Sequence, residues 1–357
     1  MRVAVLSYPT LFQTAGGLKM KVERTVNALV RRGIDARLID PVTERIRDFD
    51  VVHVFAAFNG NHRIVEQAKS DGLPVVLSTI LSPRFNKRDG QIARFLTRFV
   101  GRMTGWEVTT SYGQIASSIS MADHLVVLGR IERSILADGY LASPEKISIV
   151  PNGIGAEFFN TSPELFLARY PEIPRPFVLH TGHLYDVKNQ LGLIRAMAGT
   201  GVNIVLVGYA GRGGGAAYLA DCLREGGENV RHLGELEHGE MIASANAAAA
   251  VVAVPSRYEG MPNSVLEALA TDRPVVLTEN HTMDLHLPPD VAAEVAPDDH
   301  AAIRRAVTGF LEHPPLPGRA RAVVAEMSWD KVAEQLEAIY RNVCSPGNAA
   351  SPLAAAS

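Results

Sequence analysis

Short apolar, β-branched runs recur along this chain, each followed by a longer stretch with helical spacing, and parallel sheets of βαβ units are the fold that accommodates this. The first series occupies residues 3–6, 36–39, 51–55, 75–77, 124–127 and 147–149. A second occupies 177–179, 204–207, 230–233, 249–254 and 275–277. Between them stand Pro171, Pro174 and Pro176. Each proline fixes φ and blocks a helix interior or central strand, so the cluster reads as a linker. The expected fold is α/β, with Rossmann-like domains at 1–172 and 173–327. A last helical pattern, 328–343, follows Ser328 and carries Val332, Leu336 and Ile339 on one face. The Ala-, Ser- and Pro-rich tail, 345–357, is expected to be disordered. Ligands of such sheets sit outside the carboxyl ends of the strands, so two halves facing each other predict an interdomain cleft.

Composition removes several classes of function. The 357 residues suffice for two domains, and 47% hydrophobic with 20% charged residues is globular. Two cysteines, Cys222 and Cys344, make no disulfide framework and no Cys-x-x-Cys metal site. The opening apolar run is broken by Pro9 and reads as a strand rather than a signal peptide. No run approaches the roughly 20 apolar residues of a membrane span. A cytoplasmic location is therefore expected. The formal charge of −3 excludes a globally basic nucleic-acid binder. It conceals an asymmetry: residues 1–178 hold 22 Lys+Arg against 17 Asp+Glu, and residues 179–357 hold 13 against 21.

The segment from Pro255 to Ala270, PSRYEGMPNSVLEALA, carries the most chemistry. A buried strand ends at Pro255, a polar turn follows, and Ser264 is expected to open a helix. Backbone N–H groups at a helix start bind anionic oxygens, and the helix dipole favours phosphate there. Glu259 and Glu267 stand eight residues apart. Two readings of Glu267 remain open, because Ser264-x-x-Glu267 is also a capping box.

This segment resembles the Glu-x7-Glu motif of retaining glycosyltransferases with the GT-B fold, glycosyltransferase family 4 (group 1). Further segments match in the family's order: Ala122 to Val127, Val150-Pro-Asn-Gly-Ile154, Thr181-Gly-His-Leu-Tyr-Asp-Val-Lys-Asn-Gln190 and Ser328-Trp329. The resemblance implies a nucleotide diphosphate sugar donor, UDP- or GDP-linked, held by the C-terminal half. It implies that Glu267 accepts hydrogen bonds from the ribose and that Glu259 lies beside the transferred sugar. Gly260, Met261, Asn263 and Ser264 would line the sugar and diphosphate. Lys188 would neutralise the leaving diphosphate, within a loop that includes Gly182 and Asn189. Gly16 and Gly17 would let backbone approach phosphate or acceptor, and Gly208 would serve the glycine loop after the second strand of the donor domain. The implied reaction is metal-independent, uses no cofactor, and retains configuration because the acceptor attacks the leaving-group face. The implied acceptor is a saccharide or lipid-linked saccharide of cell-surface polysaccharide, lipopolysaccharide or glycolipid synthesis. The implied C-terminal helix crosses back to the first domain.

Two positions depart from the family pattern. His183 stands where the family carries Arg, replacing a permanent cation by one that titrates near neutrality. It is assigned as a diphosphate contact with a catalytic role. The family's first-domain His is missing, since the chain reads Leu77-Ser-Thr-Ile80 there. A catalytically silent nucleotide-sugar binding protein is therefore the alternative. Gly208 to Gly215 lacks the Gly-x-Gly-x-x-Gly spacing of a dinucleotide loop. Asp48-Phe-Asp50 resembles a metal motif, but its place before a strand favours a solvated turn, and no metal is predicted.

Residues 84–106 gather Arg84, Lys87, Arg88, Arg94, Arg98 and Arg102 against Asp89 alone. Arg94, Arg98 and Arg102 fall on one helical face, with Ile92, Phe95, Leu96, Phe99 and Met103 on another and Trp106 following. One reading is a peripheral anchor on anionic lipid beside the acceptor, involving Arg94, Arg98, Arg102 and Trp106. The other is a helix whose apolar side faces the core and whose arginines are solvated.

Overall fold

The computed structural model describes residues 1–13, 16–81, 85–105, 107–211 and 214–345. The chain divides into two compact units, the first comprising Met1–Asn152 and the segment from Trp329 onward, the second Gly153–Ser328. The tail expected to be disordered falls, from residue 346, outside the described residues, as does Trp106.

The first unit holds β1 (Arg2–Leu6), β2 (Asp35–Leu38), β3 (Val51–Phe55), β4 (Val75–Ser78), β5 (His124–Val127) and β6 (Ile147–Ile149). All pairings are parallel, in the order β2-β1-β3-β4-β5-β6. The inner strands β3, β4 and β5 are buried along their whole length, because helices cover both faces and every residue must be tolerated in a core. Alternation along each strand assigns its residues to opposite faces. On one side Val3, Val5 and Val51 pack with Val22 and Leu29 of helix Gly17–Arg31 and with Val332, Leu336 and Ile339 of helix Trp329–Val343. On the other, Ala4, Leu6, Val52 and Val54 pack with Val65, Ala68, Ile119 and Leu136. The C-terminal helix thus completes the first unit's core, as the sequence reading expects.

The second unit holds β7 (Phe177–Thr181), β8 (Asn203–Val207), β9 (Val230–His232), β10 (Val251–Val254), β11 (Val275–Thr278) and β12 (Ala292–Val295). They form one parallel sheet in the order β12-β11-β10-β7-β8-β9. This is a doubly wound order whose direction reverses between β7 and β10. The edge strand β12 has no counterpart among the eleven apolar runs, because its Ala-Ala-Glu-Val carries little β preference.

The proline cluster does not separate the units. The division falls at 152/153, inside the Pro-Asn-Gly turn, and residues 153–172 belong to the second unit. Phe166 is fully buried there, its ring 5.8 Å from that of Phe177 and its N–H donating to Ser244 Oγ at 2.9 Å. The prolines follow the short helix Glu164–Arg169 and lead the chain into β7. They punctuate a packed segment rather than a junction.

Candidate active site

The switch point of the second sheet lies between β7 and β10, where the loops leaving the carboxyl ends of both strands meet. The β7 loop, 182–189, supplies Lys188, and the β10 loop, 255–262, supplies Glu259. Lys188 Nζ lies 2.6 Å from Glu259 Oε1, which also accepts from Ser256 Oγ at 2.7 Å. Glu259 is buried, Ser256 is fully buried, and the Lys188 side chain keeps a partial opening to solvent. A buried carboxylate is tolerated only when paired and hydrogen-bonded, and these two donors do that.

The two loops are tied along their length. Arg257 N–H donates to Val187 O at 2.8 Å. Its guanidinium grips Asp186 with bonds of 2.7 and 3.0 Å and reaches Asp298 at 3.0 Å. That fork holds the Asp186 carboxyl below its usual range, while the carboxylates raise the guanidinium. Asn189 sits in the left-handed region at φ +56° and sends its amide to Pro255 O (2.9 Å) and Pro297 O (2.8 Å). Asn189 therefore shapes the loop from beneath rather than offering its side chain to a ligand. His180 Nε2 donates to Lys188 O at 3.2 Å, and burial pushes this imidazole down to about 4, so it stays neutral.

The glycines assigned from sequence act through backbone approach. Gly182 and Gly208 adopt φ of +149° and +146°. A Cβ on Gly208 would stand 2.0 Å from Gly182 O, so the loops after β7 and β8 touch backbone to backbone. Gly260 has room, its nearest neighbour at the Cβ position being Thr282 Oγ1 at 3.9 Å. His183 shares this rim, its ring edge-on to Tyr209 at 6.2 Å.

The helix of the second acidic motif begins at Asn263, one residue before the expected Ser264, with Pro262 as N-cap and no side-chain cap bond. The capping box does not form. Glu267 Oε1 instead lies 2.9 Å from His238 Nε2, and the His238 ring lies 5.7 Å from that of Phe158. Asn263 and Ser264 stand in the first helical turn, where backbone N–H groups have no intrahelical acceptor. Met261 is buried beside them in sequence. His180, Ser256, Arg257 and His238 were not singled out by sequence reasoning. Only the Ser256-x-x-Glu259 neighbourhood offered a local signal; His238 meets Glu267 across 29 residues.

Gly16 and Gly17 belong to the first unit and open helix Gly17–Arg31, Gly16 being an N-cap at φ +156°. Asp50 of the Asp-x-Asp turn is engaged by Arg2, through its backbone N–H at 2.7 Å and its guanidinium at 3.2 Å. The basic helix spans Lys87–Met103, opened by a capping box between Asn86 and Asp89. Its orientation overturns the core-facing alternative and removes Arg94 from the exposed arginine stripe. Arg94 turns inward and donates to Gly139 O at 2.6 Å, leaving Arg98 and Arg102 exposed. Gly90 and Gly101 are buried, and a Cβ on Gly90 would stand 2.4 Å from Gly139 O. The apolar side is the outward one: Ile92, Phe95, Leu96, Phe99 and Met103 are 51%, 69%, 50%, 55% and 72% exposed.

Residues 175–313 match the family model "Glycosyl transferases group 1", a range that contains Lys188, Glu259 and Glu267. Among curated proteins, glycogen synthase of Mycobacterium tuberculosis is 27% identical over 329 residues, covering 88% of this chain and 73% of its own. Among solved structures, sucrose-phosphate synthase from Thermosynechococcus elongatus superposes with a TM-score of 0.77 at 18% identity, covering 96% of this chain and 99% of that one. Anabaena HepE in complex with UDP-glucose gives 0.71 at 16% identity, covering 96% and 100%. The sheet orders and the superpositions describe one fold, the GT-B fold of two Rossmann-like units, and the stretch that matches the glycosyl transferases group 1 model lies within the unit that carries the paired Lys188 and Glu259.

Proposed function

We propose that the protein transfers a sugar from a nucleoside diphosphate donor, UDP- or GDP-linked, to a hydroxyl of a saccharide acceptor, with retention of configuration. The observation that carries this reading is the Lys188–Glu259 pair at the switch point of the second sheet. HepE, solved with UDP-glucose, supports the donor class. In the reaction the bond from the anomeric carbon to the diphosphate oxygen breaks, and negative charge grows on the departing group. Lys188 exchanges Glu259 for that oxygen, joined by His183 and by the N–H groups of the Asn263–Ala270 helix start. Glu259, still held by Ser256, is freed to accept hydrogen bonds from the sugar. The acceptor hydroxyl attacks from the leaving-group side and its proton passes to a diphosphate oxygen, so no protein nucleophile is needed.

A thermal-shift panel of nucleotides and nucleotide-sugars, followed by assay of released UDP or GDP, tests the proposal. Stabilisation with turnover supports it. Binding of every stabilising donor without any turnover supports the silent alternative. Glu267→Ala is expected to weaken UDP and uridine alike by about 10- to 100-fold, the worth of a hydrogen bond to a charged group. Unchanged affinity for both, measured by calorimetry, would remove Glu267 from the ribose.

The acceptor belongs, on this reading, to surface polysaccharide, lipopolysaccharide or glycolipid synthesis at an anionic membrane face. The outward apolar ridge of helix Lys87–Met103, bordered by Arg88, Arg98 and Arg102, supports that placement. Among the described residues no helix is long and apolar enough to cross a membrane, so the contact is peripheral. The protein is expected to float with anionic vesicles, less so at high salt, and not with neutral ones. Phe95→Ser with Phe99→Ser should abolish flotation. Persistence of flotation in that variant would move the contact elsewhere.

A further inference from the structure

The first sheet also reverses direction, between β1 and β3. Ligands of open α/β sheets bind at such points, outside the carboxyl ends of the strands. Beyond β1, Ser7 Oγ donates to Phe55 O at 2.7 Å, and Ala56 follows β3 at φ +75°. Helix Gly17–Arg31, entered from β1, contributes Lys21 on its second turn. Lys21 is 6% exposed, and among the described residues its ammonium makes no hydrogen bond and no ion pair. Helical side chains lean toward the N-terminus, which directs the Lys21 stem back toward the Gly16–Gly17 end of the helix. One turn on, Thr25 is 1% exposed and its Oγ1 is also without a partner.

Among the described residues, none of the neighbouring charged and titratable groups contacts the ammonium. Glu132 attracts it through space, but its oxygens accept from Thr79 Oγ1 (2.7 Å), Leu81 N (2.9 Å) and Leu128 N (2.8 Å). His53 is closed on both sides, by Tyr340 Oη at 2.6 Å and Ser78 Oγ at 2.9 Å. Burial pushes His53 down to about 3 and Lys21 down to about 8. A buried cation without a contacting partner costs folding free energy that an apolar side chain of the same size would not. A purely structural lysine at this position would have been expected to find a carboxylate.

We propose that Lys21 anchors an oxyanion subsite for the acceptor, binding a phosphate or carboxylate carried by the acceptor sugar at the β1/β3 switch point. The proposal rests on the reading that the second unit holds the donor nucleotide. Ligand and fold then make opposite demands on one side chain, and that opposition is measurable.

The test uses the full chain and calorimetric titration with inorganic phosphate, glucose 6-phosphate and glucuronate, each alone and with saturating UDP. Expected is binding of the sugar phosphate or of glucuronate that persists with UDP present. Which of the two binds identifies the anion. Lys21→Met should weaken it about tenfold or more, leave UDP affinity unchanged, and raise or preserve the thermal midpoint. Lys21→Gln serves if the methionine variant does not fold, and Lys19→Met on the same helix is the control. A lowered midpoint with unchanged anion affinity assigns Lys21 to the fold and overturns the proposal. So does the absence of anion binding in the parent protein, and so does displacement of the anion by UDP. Failure of UDP itself to bind would instead overturn the donor reading, while the anion titrations still report on Lys21.

Discussion

Lys188→Met is expected to lower kcat at saturating donor by roughly 10²- to 10³-fold, the cost of removing one preorganised stabiliser of developing negative charge. The group lost is an ammonium held 2.6 Å from a buried carboxylate, so it is already placed before the donor arrives. Its methylene stem fits beside Gly182, where a Cβ on the glycine would lie 3.9 Å from Lys188 Cδ. Methionine preserves that packing and removes only the charge. Glu259→Ala should fall in the same direction, since the ammonium then loses the carboxylate that orients it. The double variant should fall less than the product of the singles, because paired groups do not contribute additively. Initial rates of donor cleavage with each purified variant check this. Full activity in either single variant would sink the assignment of the site.

Gly208→Ala is expected to destabilise the second unit by about 3 kcal/mol or more, because it combines left-handed backbone with a backbone clash. Gly208 sits at φ +146°, and its added Cβ would meet Gly182 O at 2.0 Å. Neither loop yields easily. Gly182 N–H donates to Val207 O (2.9 Å), Leu184 N–H to Tyr209 O (2.9 Å) and Gly208 N–H to Gly234 O (2.8 Å). The loops would have to part, carrying Lys188 with them, so UDP affinity should fall together with the urea midpoint. Gly260→Ala is the matched control, since the space beside it is open and its unfolding free energy should change by less than about 0.5 kcal/mol. Equal midpoints for the two variants would mean that the approach of the β7 and β8 loops does not constrain the unit.

Much of this protein was legible before folding. The alternation of apolar runs located eleven of the twelve strands among the described residues, because a strand buried on both faces needs a continuous apolar run. The exception, β12, is an edge strand paired on one side only. Glu259 and Glu267 stood out by their spacing within one short segment, and Lys188 by the resemblance of its loop to that of the glycosyltransferases. His238 did not, since its partner Glu267 is 29 residues away and only the packing of the β9 loop brings them together. The proline cluster misled because proline marks any interruption of regular structure, whether between units or within one.

The sequence by itself determined that two parallel sheets would form and which residues share a helical or strand face, since periodicity is a local property of the chain. Strand order decided the rest. It set β7 against β10 and so brought Lys188 to Glu259 across 71 residues, and it set β1 against β3, near which Lys21 is buried. The Lys87–Met103 helix makes the same point on the surface. Its pattern separated arginines from apolar residues, but which side turned inward depended on the carbonyl of Gly139, against which Gly90 packs and to which Arg94 donates. Periodicity defines a face; the partner packed against it decides whether that face is core or surface.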